Sequence, residues 1–252
     1  MTGASPHETD ALIGHNNNGH LANTKPKHSR LWHHFKEEID PRHCDLIMLY
    51  CYLITGFLDS SSTLIWGSFV SMQTGNTVYL GLGLAGVSGS GDRAIKSGAS
   101  IASFCIGSMF FGAFYRLFPG LRRWVLCVSF TIQMLLMVCA AVIVTTERPS
   151  RESELTWRVI VPVILVAFQS SGQAVTSHVM GLGGLSSVVL TNTYCDLFSH
   201  VEIFSPVTLM KSLPQRRRFF AVVLLLLGTI LGGIWARSSV GICALTSYPP
   251  TL

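Results

Sequence analysis

Residues 56–84 read GFLDSSSTLIWGSFVSMQTGNTVYLGLGL. The stretch is apolar enough for a bilayer, yet it holds one acid, Asp59, and a polar knot, Gln73-Thr74-Gly75-Asn76. An ionised carboxylate at the bilayer centre costs at least about 2.5 kcal/mol. Gly and Asn both favour turns over continuous helix. Irregular backbone cannot face lipid at that depth, so the knot has to face protein or a watery cavity. A chain that accepts both features within one membrane hairpin is organised around them.

Outward from this stretch the composition sets the class. Only 12% of the 252 residues are charged and 49% are hydrophobic, with a mean hydropathy of +0.45. Soluble domains carry about a quarter charged residues. The charges here concentrate in the N-terminal tail and in short loops, and between them lie apolar runs of roughly the 20 residues that cross a bilayer. The formal charge of +5 follows from basic loops on one side of a membrane and needs no nucleic-acid partner. The implied partner is the lipid bilayer, and the implied location is a membrane crossed several times. Cys44, Cys51, Cys105, Cys127, Cys139, Cys195 and Cys243 have no metal-like spacing and read as small apolar fillers. No metal and no cofactor is expected.

Along the chain, residues 1–29 form a polar tail expected to be disordered. In 30–44, Trp32, Phe35 and Ile39 share one helical face, as in a helix lying at the membrane surface. The membrane domain covers 45–240, and 241–252 form a short tail. Seven segments are expected: Leu46 to Trp66, Gly67 to Gly86, Ser97 to Leu117, Trp124 to Thr145, Val159 to Val179, Leu185 to His200, and Phe219 to Trp235. Without an apolar leader, the first span is expected to act as the signal anchor. The fold expected is all-α, a polytopic helical bundle of about six to seven spans. The second segment reads either as a full but broken helix or as a re-entrant one. With seven full spans and a cytosolic N-terminus, the loops holding Arg93 and Lys96, Arg148 to Arg158, and Lys211 to Arg218 face inside. Small residues at four-residue spacing, such as Gly228 and Gly232, suit close helix packing, including contact with a second copy.

Two stretches invite comparison. Asp59 and its hydroxyl neighbours precede an apolar run and Thr74-Gly75-Asn76; Gln173 and Thr176-Ser177 precede an apolar run and Thr191-Asn192-Thr193. Paired polar interruptions of this kind place transporter sites at a repeat interface. Separated by one span, the two units would share one orientation. The candidate binding residues are Asp59, Gln73, Thr74, Gly75, Asn76, Gln173, Thr191, Asn192 and Asp196. Asp59 reads either as a carboxylate that binds a proton or cation, or as a strut held by nearby hydroxyls.

The Gly-x-x-Asp of the first span and the Thr-Gly-Asn of the second also resemble the YoaK-type integral membrane proteins, a family of unknown function. Gly172, Gln173, Thr191 and Asp196 lie on its second signature. The resemblance covers roughly Asp45 to Arg237, and the polar tail is similar to that of its fungal branch. Two positions depart from the pattern: Gln173-Ala174 stands where Gln-Asn-Ala is expected, and Thr191-Asn192 where Thr-Gly is expected. The resemblance implies membrane topology and no reaction. No GxSxG, HExxH or P-loop is present, so no enzyme is expected. Two functions remain: a permease for a small molecule or ion, and a non-transporting scaffold or accessory protein for a partner enzyme. A water-filled cavity reaching Asp59 favours the first, and a closed hydrogen-bond cluster favours the second.

Overall fold

The computed structural model describes residues 41–118, 122–146, 155–182, 186–188, 190–200 and 212–237, with backbone alone for 41–44. The tail 1–29, the aromatic face of Trp32, Phe35 and Ile39, and residues 241–252 lie outside the described residues. Seven helices appear among the described residues: α1 Pro41–Trp66, α2 Gln73–Leu84, α3 Gly91–Leu117, α4 Arg123–Thr146, α5 Trp157–Val179, α6 Leu190–Phe198 and α7 Leu213–Arg237. α3, α4, α5 and α7 are long and apolar enough to cross a membrane. At 26 residues, α1 matches them in length at about 39 Å. By contrast α2 and α6, with 12 and 9 residues, reach only about 18 and 14 Å.

The two short helices arise in the same way. Beyond α1 the chain turns at Gly67, whose φ is 74°, and its N–H closes on the Thr63 carbonyl at 3.1 Å. Beyond α5 it turns at Gly181, φ 69°, where the Leu182 N–H reaches the Ser177 carbonyl at 2.9 Å. Both are left-handed helix ends that suit glycine. Each sends the chain back along the helix it has just left.

The contacts give every direction. α1 and α7 are parallel, since Asp45 pairs with Arg217 and Ser61 donates to the Gly232 carbonyl. α3 and α5 are parallel too: Ser103 meets the Ile164 carbonyl at 2.7 Å, and Tyr115 meets Thr176 at 2.8 Å. α1 opposes α5, because Met48 and Met180 share one apolar cluster while Thr55 reaches Gln173. The Val70 and Ser71 N–H groups bond Asp59, seven residues back from the end of α1. So the segment after Gly67 descends about 10 Å along α1. α2 then climbs again, since Asn76 bonds Phe69 and Tyr79 stacks on it. α3 starts beside the end of α2, where Arg93 lies over the Tyr79 ring at 4.4 Å. The second segment is therefore re-entrant.

In the second half the same path runs upside down. From Met180 the chain rises until Ser187 reaches Thr55; α6 then falls, with Thr193 at Tyr52 and Asp196 at Arg218. Long helix, re-entrant segment with a half-helix, long helix: this unit occurs twice, as α1-α2-α3 and α5-α6-α7. Because α2 does not cross, a single helix, α4, inverts the second unit relative to the first. The expected shared orientation is thus corrected. The helix pairing follows the inversion, with α1 on α7, α3 on α5, α2 on α3 and α6 on α7.

Glycine permits the tight pairs. A Cβ at Gly56 or Gly228 would overlap a backbone carbonyl of the partner helix, and one at Gly107 would overlap Ser171 and Phe168. Away from these pairs, a cleft of about 370 Å³ separates α1 and α7 from α4, lined by residues such as Phe57, Met137, Val144 and Trp235. Three boundaries extend beyond expectation. α3 starts at Gly91, so the residues through Lys96, expected as a loop, are its first turns, with Asp92 favourably near the N-terminal dipole. α7 begins at Leu213, taking in the basic run of Arg216 to Arg218. α1 begins at Pro41, a residue suited to a first helical turn.

Two outcomes are expected from this packing. In a cysteine-depleted chain, Ser88→Cys is labelled by an impermeant thiol reagent from the membrane side opposite the N-terminus, and His200→Cys from the N-terminal side. Labelling of both from the N-terminal side would mean that α2 crosses. Gly228→Ala is expected to lower stability by about 1–3 kcal/mol through overpacking, whereas Gly233→Ala, which meets no neighbour, leaves the thermal midpoint unchanged.

Candidate functional site

Asp59 is where the first re-entrant segment is tied down. Its Oδ1 accepts the Val70 N–H at 3.0 Å and the Ser71 N–H at 2.9 Å, and its Oδ2 accepts the Ser71 hydroxyl. The residue is 4% exposed. Residues 68–72 are not helical, so their N–H groups lack the usual i−4 carbonyls. In an apolar surrounding each unsatisfied group would cost several kcal/mol. One carboxylate satisfies two of them. Both acid–arginine pairs among the described residues, Asp45–Arg217 and Asp196–Arg218 at 3.1 Å, lie at the end of the bundle where α1 starts.

The knot finishes the turn. Asn76, fully buried, accepts the Phe69 N–H at 3.0 Å and donates to the Phe69 carbonyl at 2.7 Å. An asparagine side chain thereby replaces the backbone partner that an adjacent strand would offer. It also donates to Ser100 on α3 at 3.0 Å, and Gln73 donates to the Val70 carbonyl at 3.1 Å. A Cβ at Gly75 would overlap the Phe69 ring and force it to shift.

The second tip is held from α1 by neutral groups. Thr55 is 3.1 Å from Gln173 Oε1 and 3.0 Å from the Ser187 hydroxyl. The Tyr52 hydroxyl donates to the Ser186 carbonyl at 3.1 Å and lies 3.2 Å from Thr193. Thr55 and Asp59 are one helical turn apart. The two re-entrant tips, entering from opposite ends of the bundle, therefore meet α1 within about 6 Å of each other along its axis. A cavity of about 330 Å³ reaches Asp59 from the side of α7, bounded by Gly56, Thr63, Met72, Leu225 and Thr229. Thr63 Oγ1 has no hydrogen-bond partner among the described residues.

The sequence-predicted residues divide accordingly. Asp59, Gln73, Gly75 and Asn76 join in the first tip, and Gln173 belongs to the second. Thr74, Thr191 and Asn192 are exposed on the outer faces of the half-helices. Asp196 sits apart, paired with Arg218 at the bundle end. The two knots do not share one depth. Asn76 lies beside Phe69, and Thr193 beside Tyr52, about 10 Å lower on α1. What converges is the tips ahead of them. Sequence reasoning missed Tyr52, Thr55, Ser71, Ser100 and Ser187. Lone hydroxyls in apolar helices carry no periodic signal; the spacing of Tyr52, Thr55 and Asp59, which puts all three on one face of α1, is the sign that was available.

A family model described as a protein of unknown function (DUF1275) matches residues 47–248, in keeping with the resemblance to YoaK-type membrane proteins. No curated protein and no solved structure matches the chain.

Asp59→Asn and Asp59→Ala are expected to differ in one direction. Asparagine keeps an oxygen for the two N–H groups and can donate to the Ser71 hydroxyl, so the protein stays folded and inserted. Alanine leaves two buried N–H groups unpaired, at about 1–3 kcal/mol each. Thermal unfolding in detergent, with the yield of inserted protein, checks this; equal stability of the two variants would show that Asp59 does not hold the tip.

Proposed function

The chain belongs to the DUF1275 family, and we propose that it is a multi-pass membrane permease for a small molecule or ion, with its path between the two re-entrant tips. One observation carries the reading. Two inverted units each send a discontinuous segment to the middle of the bundle, and the segments bond α1 one turn apart, at Asp59 and at Thr55. Inverted repeats with broken helices at their interface are how many transporters form a midplane site and alternate access around it. A scaffold needs neither irregular backbone in the middle of a bilayer nor an inverted pair. The cavity beside Asp59 approaches the first tip from the side of α7.

The reading assigns the sides. The end carrying Arg116, Arg122, Arg123 and Arg216 to Arg218 is the cytosolic one by charge bias. Arg93, Lys96, Arg158 and Arg237 then face the other side.

The second reading, a non-transporting scaffold or accessory protein, draws on a different observation. Both oxygens of Asp59 are already engaged, as expected of a strut. In either reading Asp59 shapes the tip; under the permease reading it does so in order to leave an opening beside it.

Water access separates the two without knowledge of the solute. In a cysteine-depleted chain in native membranes, Gln173→Cys and Ser187→Cys are expected to react with a small impermeant thiol reagent from at least one side. If neither reacts from either side while Ser88→Cys and His200→Cys do, the tips are sealed and the scaffold reading stands.

A further inference from the structure

The zone where the two tips meet is polar but holds no free charge. Its side chains are the Tyr52 phenol, the hydroxyls of Thr55, Ser187 and Thr193, and the Gln173 amide, all at most 5% exposed. Asp59 is the one acid at this depth among the described residues, and both its oxygens face the first tip. We infer that the solute admitted between the tips is small and uncharged, with both hydrogen-bond donors and acceptors, of the alcohol or amide class. This rests on the permease reading above and goes beyond it by naming the substrate class.

Two physical arguments select that class. First, a cation entering this zone would leave its hydration shell without meeting a free carboxylate, since both oxygens of Asp59 are engaged, and an anion would have to approach that same acid. The cost of losing the shell is of order tens of kcal/mol in an apolar medium and still several after relaxation. α2 and α6 both begin at the tips, so each also turns the positive end of its dipole toward the zone. Positive half-helix ends at a constriction raise the barrier to cations and protons. Second, the groups that close the zone are each able to donate and to accept. The Thr55–Ser187 bond at 3.0 Å, the Thr55–Gln173 bond at 3.1 Å and the Tyr52–Thr193 contact at 3.2 Å can be exchanged one for one with a solute that does both. Such exchange leaves no polar group unpaired, which is the expensive outcome. An apolar solute would leave those groups unpaired, and a bare ion offers only one side of the exchange.

The full chain reconstituted in liposomes tests the inference. Stopped-flow light scattering after an osmotic jump reads the entry of urea and glycerol, and entrapped dyes read potassium, proton and chloride movement. The expected result is urea or glycerol entry faster than in empty liposomes, with no added ion movement. Thr55→Val, which keeps the shape and removes the bridging hydroxyl, is expected to slow that entry about tenfold, the ratio that one lost hydrogen bond supports. Should Thr55→Val not reconstitute, Tyr52→Phe serves in its place with the same expectation. Ion movement through the wild-type protein would overturn the substrate class and leave the permease reading standing. Entry of neither solute nor ion would overturn the inference as well; combined with unreactive Gln173→Cys and Ser187→Cys, it would remove the permease reading with it.

Discussion

Backbone N–H groups in a bilayer need partners, and non-helical backbone cannot supply its own. In this protein the constraint falls on the run between Gly67 and Gln73, which leaves a helix and turns back into the bundle. Asp59 resolves it by accepting from Val70, Ser71 and the Ser71 side chain. Asn76 completes the task by pairing with both backbone groups of Phe69. With these bonds made, α2 can start in the middle of the bundle and climb back out. Without them the segment would have to become a crossing helix, and the second half of the chain would be turned over.

The inversion of the two units therefore depends on local chemistry at one tip. α4 is the connector that brings the chain back across after a unit with two crossings. It packs along α5 but leaves the cleft lined by Phe57 and Met137 between itself and α1. The tight pairs are those between units, α1 with α7 and α3 with α5, where glycine lets backbones touch. Their helices are parallel, so their dipoles do not offset each other, and packing rather than electrostatics has to hold them.

The two halves share an architecture but hold their tips by different means. The first uses a carboxylate on its own long helix. The second borrows Tyr52 and Thr55 from the first unit, so neither tip is independent of α1. That helix is thus the common wall of both re-entrant segments. It also explains why α1 carries more polar groups than a lipid-facing span tolerates: Thr55, Asp59, Ser61 and Ser62 are all buried against protein.

The membrane class, the all-helical bundle and most helix positions are legible along the chain, because apolar run length against bilayer thickness is a one-dimensional property. The sequence also marked Asp59, Asn76 and Gln173, since a polar side chain at membrane depth stands out against hydrocarbon whatever its surroundings. Tertiary structure decided the rest. Whether Gly67 to Gly86 crosses or returns depends on whether acceptors wait for its N–H groups, and those acceptors lie on α1 and α3. The relative orientation of the two halves follows from that one choice. So does the meeting of Thr55 with Ser187 and of Tyr52 with Thr193, pairs more than a hundred residues apart. Their hydroxyls look alike along the chain; only the fold distinguishes those that close the centre from Thr191 and Asn192, which face outward.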